Sequence, residues 1–144
     1  LLKNVTMVSQ TTYLFVDTIE ENLRIAKPDA TQEELEAACR MASVHEFILS
    51  LPDGYKTRVG ALGDNLSAGE KQRIGLARAF LRGSEWILLD EPTSNVDSIN
   101  EGIILKALQA QKGKKSILLV SHRESTMAIA DRIYRVKDGR MTEI

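Results

Sequence analysis

The sequence of 144 residues contains a single cysteine, three prolines and no apolar run that approaches the length of a membrane span. The lone Cys39 cannot form an internal disulfide, and no second cysteine is present to complete a metal site. A helix that crosses a bilayer needs about 20 consecutive apolar residues. The opening residues, LLKNVTMVSQ, also lack the charged start and long apolar stretch of a secretory signal peptide. A reducing compartment fits this composition.

The sequence also has no excess of charge of either sign. The 19 Lys and Arg residues are balanced by 20 Asp and Glu residues, for a net charge of −1. This balance argues against a strongly basic surface for nucleic acid. Hydrophobic residues make up 43% and charged residues 27% of the sequence, which is typical of a globular domain with one core. Position 1 is leucine rather than methionine, so we expect the sequence to be part of a longer chain.

Several short runs predict β-strands. Residues 86–90 (WILLD) and 116–121 (SILLVS) are continuous apolar runs, which suit strands buried on both faces of a parallel sheet. Residues 4–9 (NVTMVS) are rich in β-branched side chains. RIYRV and RMTEI flank a Lys137-Asp138-Gly139 turn and predict a β-hairpin. The alternation of strands with helical patterns predicts an α/β fold with a mostly parallel sheet flanked by helices.

Helical patterns occupy most of residues 11–82 and recur after each later strand. The second helix starts at a capping box formed by Thr31 and Glu34. Ser98 and Glu101 predict another capping box, for a helix with Ile99, Ile103 and Ala107 on its apolar face and Ile104 and Leu108 on the flank. The predicted helices cover residues 18–26, 34–42, 44–51, 66–82, 98–111 and 124–130.

A few single residues are expected to have structural roles only. We expect Cys39 to be a small, half-buried residue in a helix, His45 to be a partly exposed helix residue, and Trp86 to pack into the core. Residues 13–15 (YLF) allow two interpretations, which are burial among the helices or a surface that binds a partner.

Polar side chains follow the predicted strands at the point where each strand ends. Asp90 and Glu91 follow the second strand, His122 the third and Gln10 the first. In open α/β sheets, ligands bind beyond the carboxyl ends of the strands. An aspartate there can hold Mg²⁺, and Glu91 could accept a proton from an attacking water. His122 could hold that water against a terminal phosphate, and Gln10 could orient the water or contact the metal.

The stretch LSAGEKQRIGLARAF begins a basic, amphipathic helix at residue 66. Ser67 and Glu70 form a Ser-x-x-Glu capping box, which is a sufficient structural explanation. A helix start that contains serine and glycine also presents free backbone N–H groups to an anion. The spacing alone leaves both interpretations open.

The segment LSAGEKQRIGLARAFLRGSEWILLDEPTSNVDS resembles the region from the signature motif to the Walker B motif of ATP-binding cassette (ABC) ATPases. Residues 66–70 match the family's LSGGQ signature, and residues 87–91 match its Walker B strand. Residues 94–97 match its D-loop, His122 its switch histidine and Gln10 its Q-loop glutamine. The resemblance covers essentially the whole chain. Two stretches, DTIEEN at residues 17–22 and TRVGALG at residues 57–63, resemble the exporter branch.

The resemblance implies a role for each matching residue. Glu91 would be the catalytic base, Asp90 the Mg²⁺-site carboxylate, and His122 the contact to the γ-phosphate of ATP. Gln10 would couple metal and water to a transmembrane transport domain. Residues of the signature, Ser67, Ala68, Gly69 and Glu70, would contact an ATP that is bound mainly by a second ABC ATPase domain in a head-to-tail dimer. Asp97 would lie at the same interface and communicate with the second domain.

Three departures from the family pattern concern the signature and the neighbouring stretch. Ala68 replaces the usual glycine, and Glu70 replaces the common glutamine. The glutamate brings negative charge near a polyphosphate unless its side chain turns back into the helix cap. Arg58 stands where exporters often have glutamate, which changes the usual contact with the transport domain.

The phosphate loop, G-x-x-x-x-G-K-[ST], is absent from the sequence. The run Gly113-Lys114-Lys115-Ser116 does not match it, because Leu108 replaces the first glycine and Lys115 precedes the serine. The chain therefore resembles a partial P-loop NTPase fold that lacks the Walker A segment. Residues 1–10 would be a core strand and Q-loop, residues 11–82 an inserted helical subdomain, and residues 83–144 the second part of the ATPase core. Alone, the chain is expected to hydrolyse essentially no ATP and to self-associate through uncovered sheet.

The function that the resemblance implies is ATP hydrolysis coupled to membrane transport, at the cytoplasmic face of the membrane and without nucleic acid as a partner. Two alternatives stay open. One is a soluble ABC ATPase that acts on nucleic acid or ribosomes, and the other is a degenerate module that only dimerises.

Overall fold

The computed structural model describes residues 4–60 and 66–144 of the chain. Its central sheet has three parallel strands in the order β1 (Val5–Val8), β4 (Trp86–Asp90) and β5 (Ser116–Val120). The register pairs Val8 with Leu89, and Asp90 with Val120. The carboxyl ends of the three strands therefore lie along one edge of the sheet, and the predicted α/β class with a mostly parallel sheet is confirmed.

The two faces of this sheet differ in what covers them. Side chains alternate between the faces along a strand, and Val8, Ile87 and Leu89 are buried on one face. The large apolar side chains exposed on the other face of this sheet are Val5, Met7, Trp86, Leu118 and Val120. The prediction that β4 and β5 are buried on both faces is therefore wrong, because no described element covers this second face. The expectation that Trp86 packs into the core is wrong, because the side chain is 51% exposed on the uncovered face.

Three helices follow β1, namely α1 (Ile19–Arg24), α2 (Gln32–Met41) and α3 (His45–Ser50). The side chain of Thr18 accepts a hydrogen bond from Glu21 N at the start of α1. At the start of α2, the Glu34 N–H donates to Thr31 and the Glu34 carboxylate accepts from Thr31 N, so the predicted capping box is confirmed.

A short antiparallel pair of strands, β2 (Asp17–Thr18) and β3 (Arg58–Val59), joins the start of α1 to the segment after α3. Neither strand is among those that the sequence predicts, because two residues are too few to show an alternating pattern. The remaining residues of the exporter-like TRVGALG stretch, 61–63, lie outside the described residues.

The longest helix in the described part of the chain, α4 (Ala68–Arg82), has Ser67 as its N-cap, as the capping box predicts, and starts two residues after the predicted residue 66. Ile74, Leu76 and Ala77 are buried on it, and α4 packs on α2 and on β1. The helix ends at Gly83, whose φ of 71° lies in the left-handed region that glycine adopts without steric cost. This helix therefore connects the helical region to the sheet.

The next helix, α5 (Ser98–Gln109), differs from its prediction in two respects. Its N-cap is Asp97, whose side chain accepts from Asn100 N, so the predicted Ser98–Glu101 capping box is wrong. The buried face is also rotated, because Ile104 and Leu108 are buried whereas Ile99 is 76% exposed. The chain turns into the helix one residue earlier than predicted, and the packing of α5 decides which apolar residues are covered.

The chain ends with α6 (Glu124–Met127), which is shorter than the predicted 124–130, and with a hairpin of β6 (Tyr134–Lys137) and β7 (Arg140–Glu143). The turn residues Asp138 and Gly139 both have positive φ, at 52° and 77°. These values suit the tight turns that join antiparallel strands, and the predicted hairpin is confirmed.

A buried polar contact lies among the helices. The expectation that His45 is partly exposed is wrong, because it is 6% exposed and its Nδ1 lies 2.7 Å from the Tyr55 hydroxyl. Burial raises the pKa of the Tyr55 hydroxyl, and it raises the pKa of the Cys39 thiol to about 11. Cys39 is fully buried rather than half-buried as expected, and its thiol stays protonated at neutral pH, in keeping with a structural role.

None of the helices within residues 4–60 and 66–144 combines the length and the apolar character that crossing a bilayer would require.

Candidate functional site

The carboxyl edge of the sheet brings together the four polar residues predicted there. β4 lies between β1 and β5, and all three run in the same direction. Gln10 therefore follows the end of β1, Asp90 and Glu91 lie at the end of β4, and His122 follows the end of β5. Gln10 and His122 are exposed, whereas Asp90 and Glu91 are half-buried.

Glu91 and His122 form a direct pair at this edge. Nδ1 of His122 lies 2.8 Å from Oε1 of Glu91, and because an ionised carboxylate only accepts hydrogen bonds, the imidazole donates. The side chain of His122 is 84% exposed and that of Glu91 only 17%. The exposed imidazole of His122 is therefore hydrogen-bonded to a carboxylate that is largely covered by the protein.

The backbone of Glu91 is held in an uncommon conformation. Its φ of 48° lies in the left-handed region, which is unusual for a residue other than glycine. The Glu91 N–H donates to Val120 O at 2.8 Å, which anchors the residue to the end of β5. Such conformations cost free energy and are concentrated at functional sites.

The second carboxylate oxygen of Glu91, Oε2, is buried and has no hydrogen-bond partner among the described residues. The hydroxyl of Ser94, three residues further on, is likewise buried and without a partner there. Buried polar atoms in folded proteins nearly always have partners. These two atoms therefore keep unused hydrogen-bonding capacity at the carboxyl end of β4.

The residues at this edge could supply only a few of the ligands of a magnesium ion. Mg²⁺ is usually held by one or two carboxylates together with water and substrate phosphates. Asp90 and the side-chain oxygen of Gln10 are hard oxygen donors of that kind at adjacent strand ends. Among the described residues, no group of three or more His, Cys, Asp or Glu side chains is placed to hold a metal ion.

Arg123, directly after His122, links three elements and is not among the site residues that the sequence predicts. Its Nη1 donates to Thr93 O at 3.0 Å, and its Nε lies 3.0 Å from Oε2 of Glu101 in α5. Glu101 is 8% exposed, so this ion pair is largely shielded from water. The sequence contains no local signal for this role, because the partners Thr93 and Glu101 lie far from Arg123 along the chain.

Asn95 connects the D-loop to the Q-loop. Its side-chain amide donates to Thr11 Oγ1 at 3.2 Å and to Gln10 O at 3.5 Å. The segments after β1 and after β4 are therefore joined directly beside the sheet edge.

At the start of α4, the capping interpretation of Ser67 and Glu70 is realised in full. Glu70 N donates to Ser67 Oγ at 3.2 Å, and Ser67 N donates to Glu70 Oε1 at 2.9 Å. Glu70 therefore turns its carboxylate back into the cap. Ala68 is exposed beside the cap, whereas Gly69 is buried.

The middle of α4 packs closely against the Q-loop. Gln72 accepts from Thr12 Oγ1 at 3.0 Å and donates through Nε2 to Ser9 O at 3.1 Å. A Cβ added at Gly75 would lie 2.3 Å from Thr12 Oγ1, so a larger residue has no room there. These contacts join the signature helix to the segment that carries Gln10.

Arg78 and Asn22 organise the segment after the Q-loop. Arg78 donates to Tyr13 O at 2.8 Å and to Asn22 O at 2.9 Å, while Asn22 exchanges hydrogen bonds with both backbone groups of Phe15. Burial lowers the pKa of Arg78, which nevertheless stays in its charged range at neutral pH. Leu14 is buried by this arrangement, whereas Tyr13 and Phe15 are 69% and 48% exposed.

The predicted site residues thus fall into two groups. Gln10, Asp90, Glu91 and His122 share the sheet edge, and Ser67, Ala68, Gly69 and Glu70 share the start of α4. Among the described residues, no hydrogen bond or ion pair joins the side chains of one group to those of the other. Asp97 caps α5.

Comparison with known proteins agrees with this arrangement. Residues 1–94 match the family model described as ABC transporter. The chain belongs to the ABC transporter family. It is 58% identical, over 96% of its length, to a probable ABC transporter ATP-binding/permease protein of Haemophilus influenzae. It is 46% identical, over its whole length, to a putative multidrug export ATP-binding/permease protein of Bacillus subtilis.

A solved structure shares the fold of this ABC transporter chain. The structure is that of a bacterial Atm1-family ABC exporter with ATP bound, and it matches with a TM-score of 0.84 and 36% identity over 96% of the chain. The match covers 24% of that exporter chain, and the two bacterial relatives are each covered over 25% of their length. The chain therefore spans about a quarter of the length of these three proteins, and its P-loop NTPase fold class is confirmed.

Proposed function

We propose that this chain is part of the ATP-hydrolysing domain of an ABC exporter, which couples ATP hydrolysis to transmembrane transport. The observation that carries the proposal is the Glu91–His122 pair, with one carboxylate oxygen held by the histidine and the other, Oε2, buried without a partner among the described residues. The ATP-binding/permease names of the relatives favour an exporter over a soluble ABC ATPase.

In the proposed reaction, Glu91 Oε2 accepts a proton from a water molecule as the water oxygen bonds to the γ-phosphorus of ATP. The bond from phosphorus to the oxygen that bridges to ADP breaks, and ADP leaves with that oxygen. His122 holds Oε1 and thereby directs Oε2 towards the water. A well-placed general base contributes about 10²–10⁴-fold to a reaction rate.

Asp90 and Gln10 would hold the Mg²⁺ ion that accompanies ATP, together with water and phosphate oxygens. When bound, the ion would neutralise phosphate charge. Asn95 and Gln72 would keep the segment of Gln10 beside the sheet edge through their contacts with Gln10 O and Ser9 O.

We further propose that Ser67, Ala68, Gly69 and Glu70 contact ATP bound by a second ABC ATPase domain, with Asp97 near the same interface. The exposed start of α4 offers backbone N–H groups to the phosphate. Because Glu70 is engaged by Ser67 N, its charge would not face that phosphate. This supports a signature motif that contacts ATP although Ala68 and Glu70 differ from the usual residues of the family.

The transport domain would dock on the exposed aromatic pair Tyr13 and Phe15. Their rings meet edge to face, with centroids 5.0 Å apart, and Val16 beside them is 62% exposed. Docking there would place the domain at the cytoplasmic face of the membrane. The net charge of −1 gives no support to nucleic acid as a partner.

The isolated chain is proposed to bind MgATP weakly and to hydrolyse essentially none, because the sequence contains no G-x-x-x-x-G-K-[ST]. The segment that carries this motif in a complete ABC ATPase would cover the sheet face that exposes Met7, Trp86 and Leu118. Calorimetric titration of the chain with MgATP tests this proposal, and stoichiometric micromolar binding would contradict it.

The enzymatic proposal is tested in the intact protein that carries this chain, by replacing Glu91 with glutamine. Glu91→Gln keeps the shape of the side chain but removes the base, so phosphate release should fall at least about 100-fold. Binding of a fluorescent ATP analogue should stay within about twofold. Glu46→Gln, on the exposed surface of α3, is the matched control. Unchanged phosphate release in Glu91→Gln would show that another group is the base.

A further inference from the structure

The side chain of Asn100, in the first turn of α5, lies against the start of α4. A Cβ added at Gly69 would be 2.2 Å from Asn100 Cγ and 2.5 Å from Asn100 Cβ. Rotation of the Asn100 side chain cannot relieve a clash with its own Cβ, so α4 and α5 approach this closely only because residue 69 has no side chain. Contact with Asn100 is thus one physical reason for glycine at this position.

Asn100 uses both ends of its amide in this contact. Its Nδ2 donates to Asp97, at 3.2 Å from Oδ1 and 3.3 Å from Oδ2, while its backbone N–H donates to Oδ1 at 2.8 Å. Its Oδ1 accepts from Arg73 Nη2 at 3.1 Å. One side chain therefore connects the cap of α5 to a cation on α4.

Arg73 extends the connection into the helical region. It is 7% exposed, and its Nη1 donates to the backbone oxygen of Ser43, in the turn between α2 and α3. Ser43 has a φ of 58°, so this carbonyl is presented from a left-handed turn residue. A continuous chain of hydrogen bonds thus runs from Ser43 through Arg73 and Asn100 to Asp97.

We propose that Asn100 is a positioning residue that locks Asp97 to the start of α4, so that the signature residues and the D-loop aspartate move as one unit. The inference rests on the proposed ATPase function for its catalytic consequence, but the mechanical link rests on the contacts alone. A shift of the helical region would be passed through Arg73 and Asn100 to Asp97. Asn100 itself does not touch the reacting groups.

The test uses Asn100→Ala and Asn100→Asp in the intact protein. Alanine removes both contacts, whereas aspartate keeps the acceptor for Arg73 but loses the donor to Asp97 and places two carboxylates together. Both variants should lower kcat for ATP hydrolysis about tenfold with KM for ATP within about twofold, because every residue proposed to contact the nucleotide is retained. The double variant Asn100→Ala with Asp97→Ala should be no slower than Asp97→Ala alone.

Amide hydrogen exchange provides a readout that does not depend on activity. In Asn100→Ala, exchange should become about tenfold faster both in residues 67–73 and in residues 97–101. Gln109→Ala, which removes an exposed amide from the same helix, should change neither segment.

Faster exchange confined to residues 97–101, or an unchanged kcat in both Asn100 variants of an active enzyme, would overturn the positioning role. A wild-type protein without ATPase activity would instead refute the proposed function. The exchange experiment would then still decide whether the two helix starts are linked.

Discussion

At the start of α4, Ser67 and Glu70 satisfy each other's backbone and side-chain groups, whereas at the carboxyl edge of the sheet Glu91 keeps one buried oxygen without a partner among the described residues. Both regions carry residues that resemble ABC motifs. The polar groups at the helix start are hydrogen-bonded to each other, whereas one at the sheet edge is not. A group that is already paired contributes to the fold, while an unpaired group retains the capacity to bind and react. We therefore expect substitutions at the helix start to lower stability in addition to any effect on the proposed ATP contact, and those at the sheet edge to lower turnover with little loss of stability.

The largest effect is expected at the sheet edge, from His122→Ala in the intact protein. Oε1 of Glu91 would lose its donor, and the carboxylate would be free to turn away from the water, so ATP turnover should fall about 100-fold or more. The midpoint of thermal unfolding should hardly change, because the imidazole is 84% exposed. Phosphate release and calorimetry measure the two quantities. A large loss of stability would break the distinction between the two regions.

A smaller effect, on stability, is expected from Gly75→Ala in α4. The added methyl group would meet Thr12 Oγ1 at 2.3 Å, and overpacking of this kind typically costs about 1–3 kcal/mol. Gly102→Ala is the matched control in α5, because a Cβ there meets nothing within 4 Å. That control should stabilise the protein by about 0.5–1 kcal/mol through the better helix propensity of alanine. Chemical denaturation compares the two variants, and equal effects would contradict the packing.

Removal of the cap at the start of α4 should cost about 1 kcal/mol. Ser67→Ala leaves Glu70 N without its acceptor and should raise hydrogen exchange in the first turn of α4. Exposed Ser125→Ala, in the short helix α6, is a control that should leave α4 unchanged. Exchange in α4 that does not respond to Ser67→Ala would mean that the cap contributes nothing.

The smallest effect concerns the protonation of Asp97. The backbone N–H and side-chain amide of Asn100 lower the pKa of the Asp97 carboxyl below its ordinary value of 3.8. A depressed pKa means that the cap stabilises the fold above the unfolded-state pKa and loses this contribution as the pH falls through the folded-state value. Carboxyl NMR titration should show the Asp97 pKa rising in Asn100→Ala. A titration that does not move would contradict the contact.

The features that the sequence predicts well are those encoded by neighbouring residues. The Thr31–Glu34 and Ser67–Glu70 capping boxes, the turn at Asp138–Gly139 and the apolar strands each depend on a few adjacent side chains. Parallel strands then place their polar ends together, which is why the group of Glu91 and His122 could be found without coordinates.

The features that it misses depend on contacts between distant segments. Ile99 and Trp86 are apolar residues in suitable patterns, but no described element covers them, so their exposure could not be read from periodicity. The Asp97 cap competes with an equally suitable Ser98, and the entry angle of α5 decides between them. Arg123, Arg73 and Asn100 act through partners about 20–30 residues away or more, for which a single sequence contains no local signal.

The most direct test of the central claim is a structure of the intact protein with Mg²⁺ and a non-hydrolysable ATP analogue. We predict a water molecule within about 3 Å of Glu91 Oε2, in line with the γ-phosphorus, while His122 stays hydrogen-bonded to Oε1. An Oε2 atom that is bonded to protein groups, with no water between it and the γ-phosphate, would contradict the assignment of Glu91 as the base.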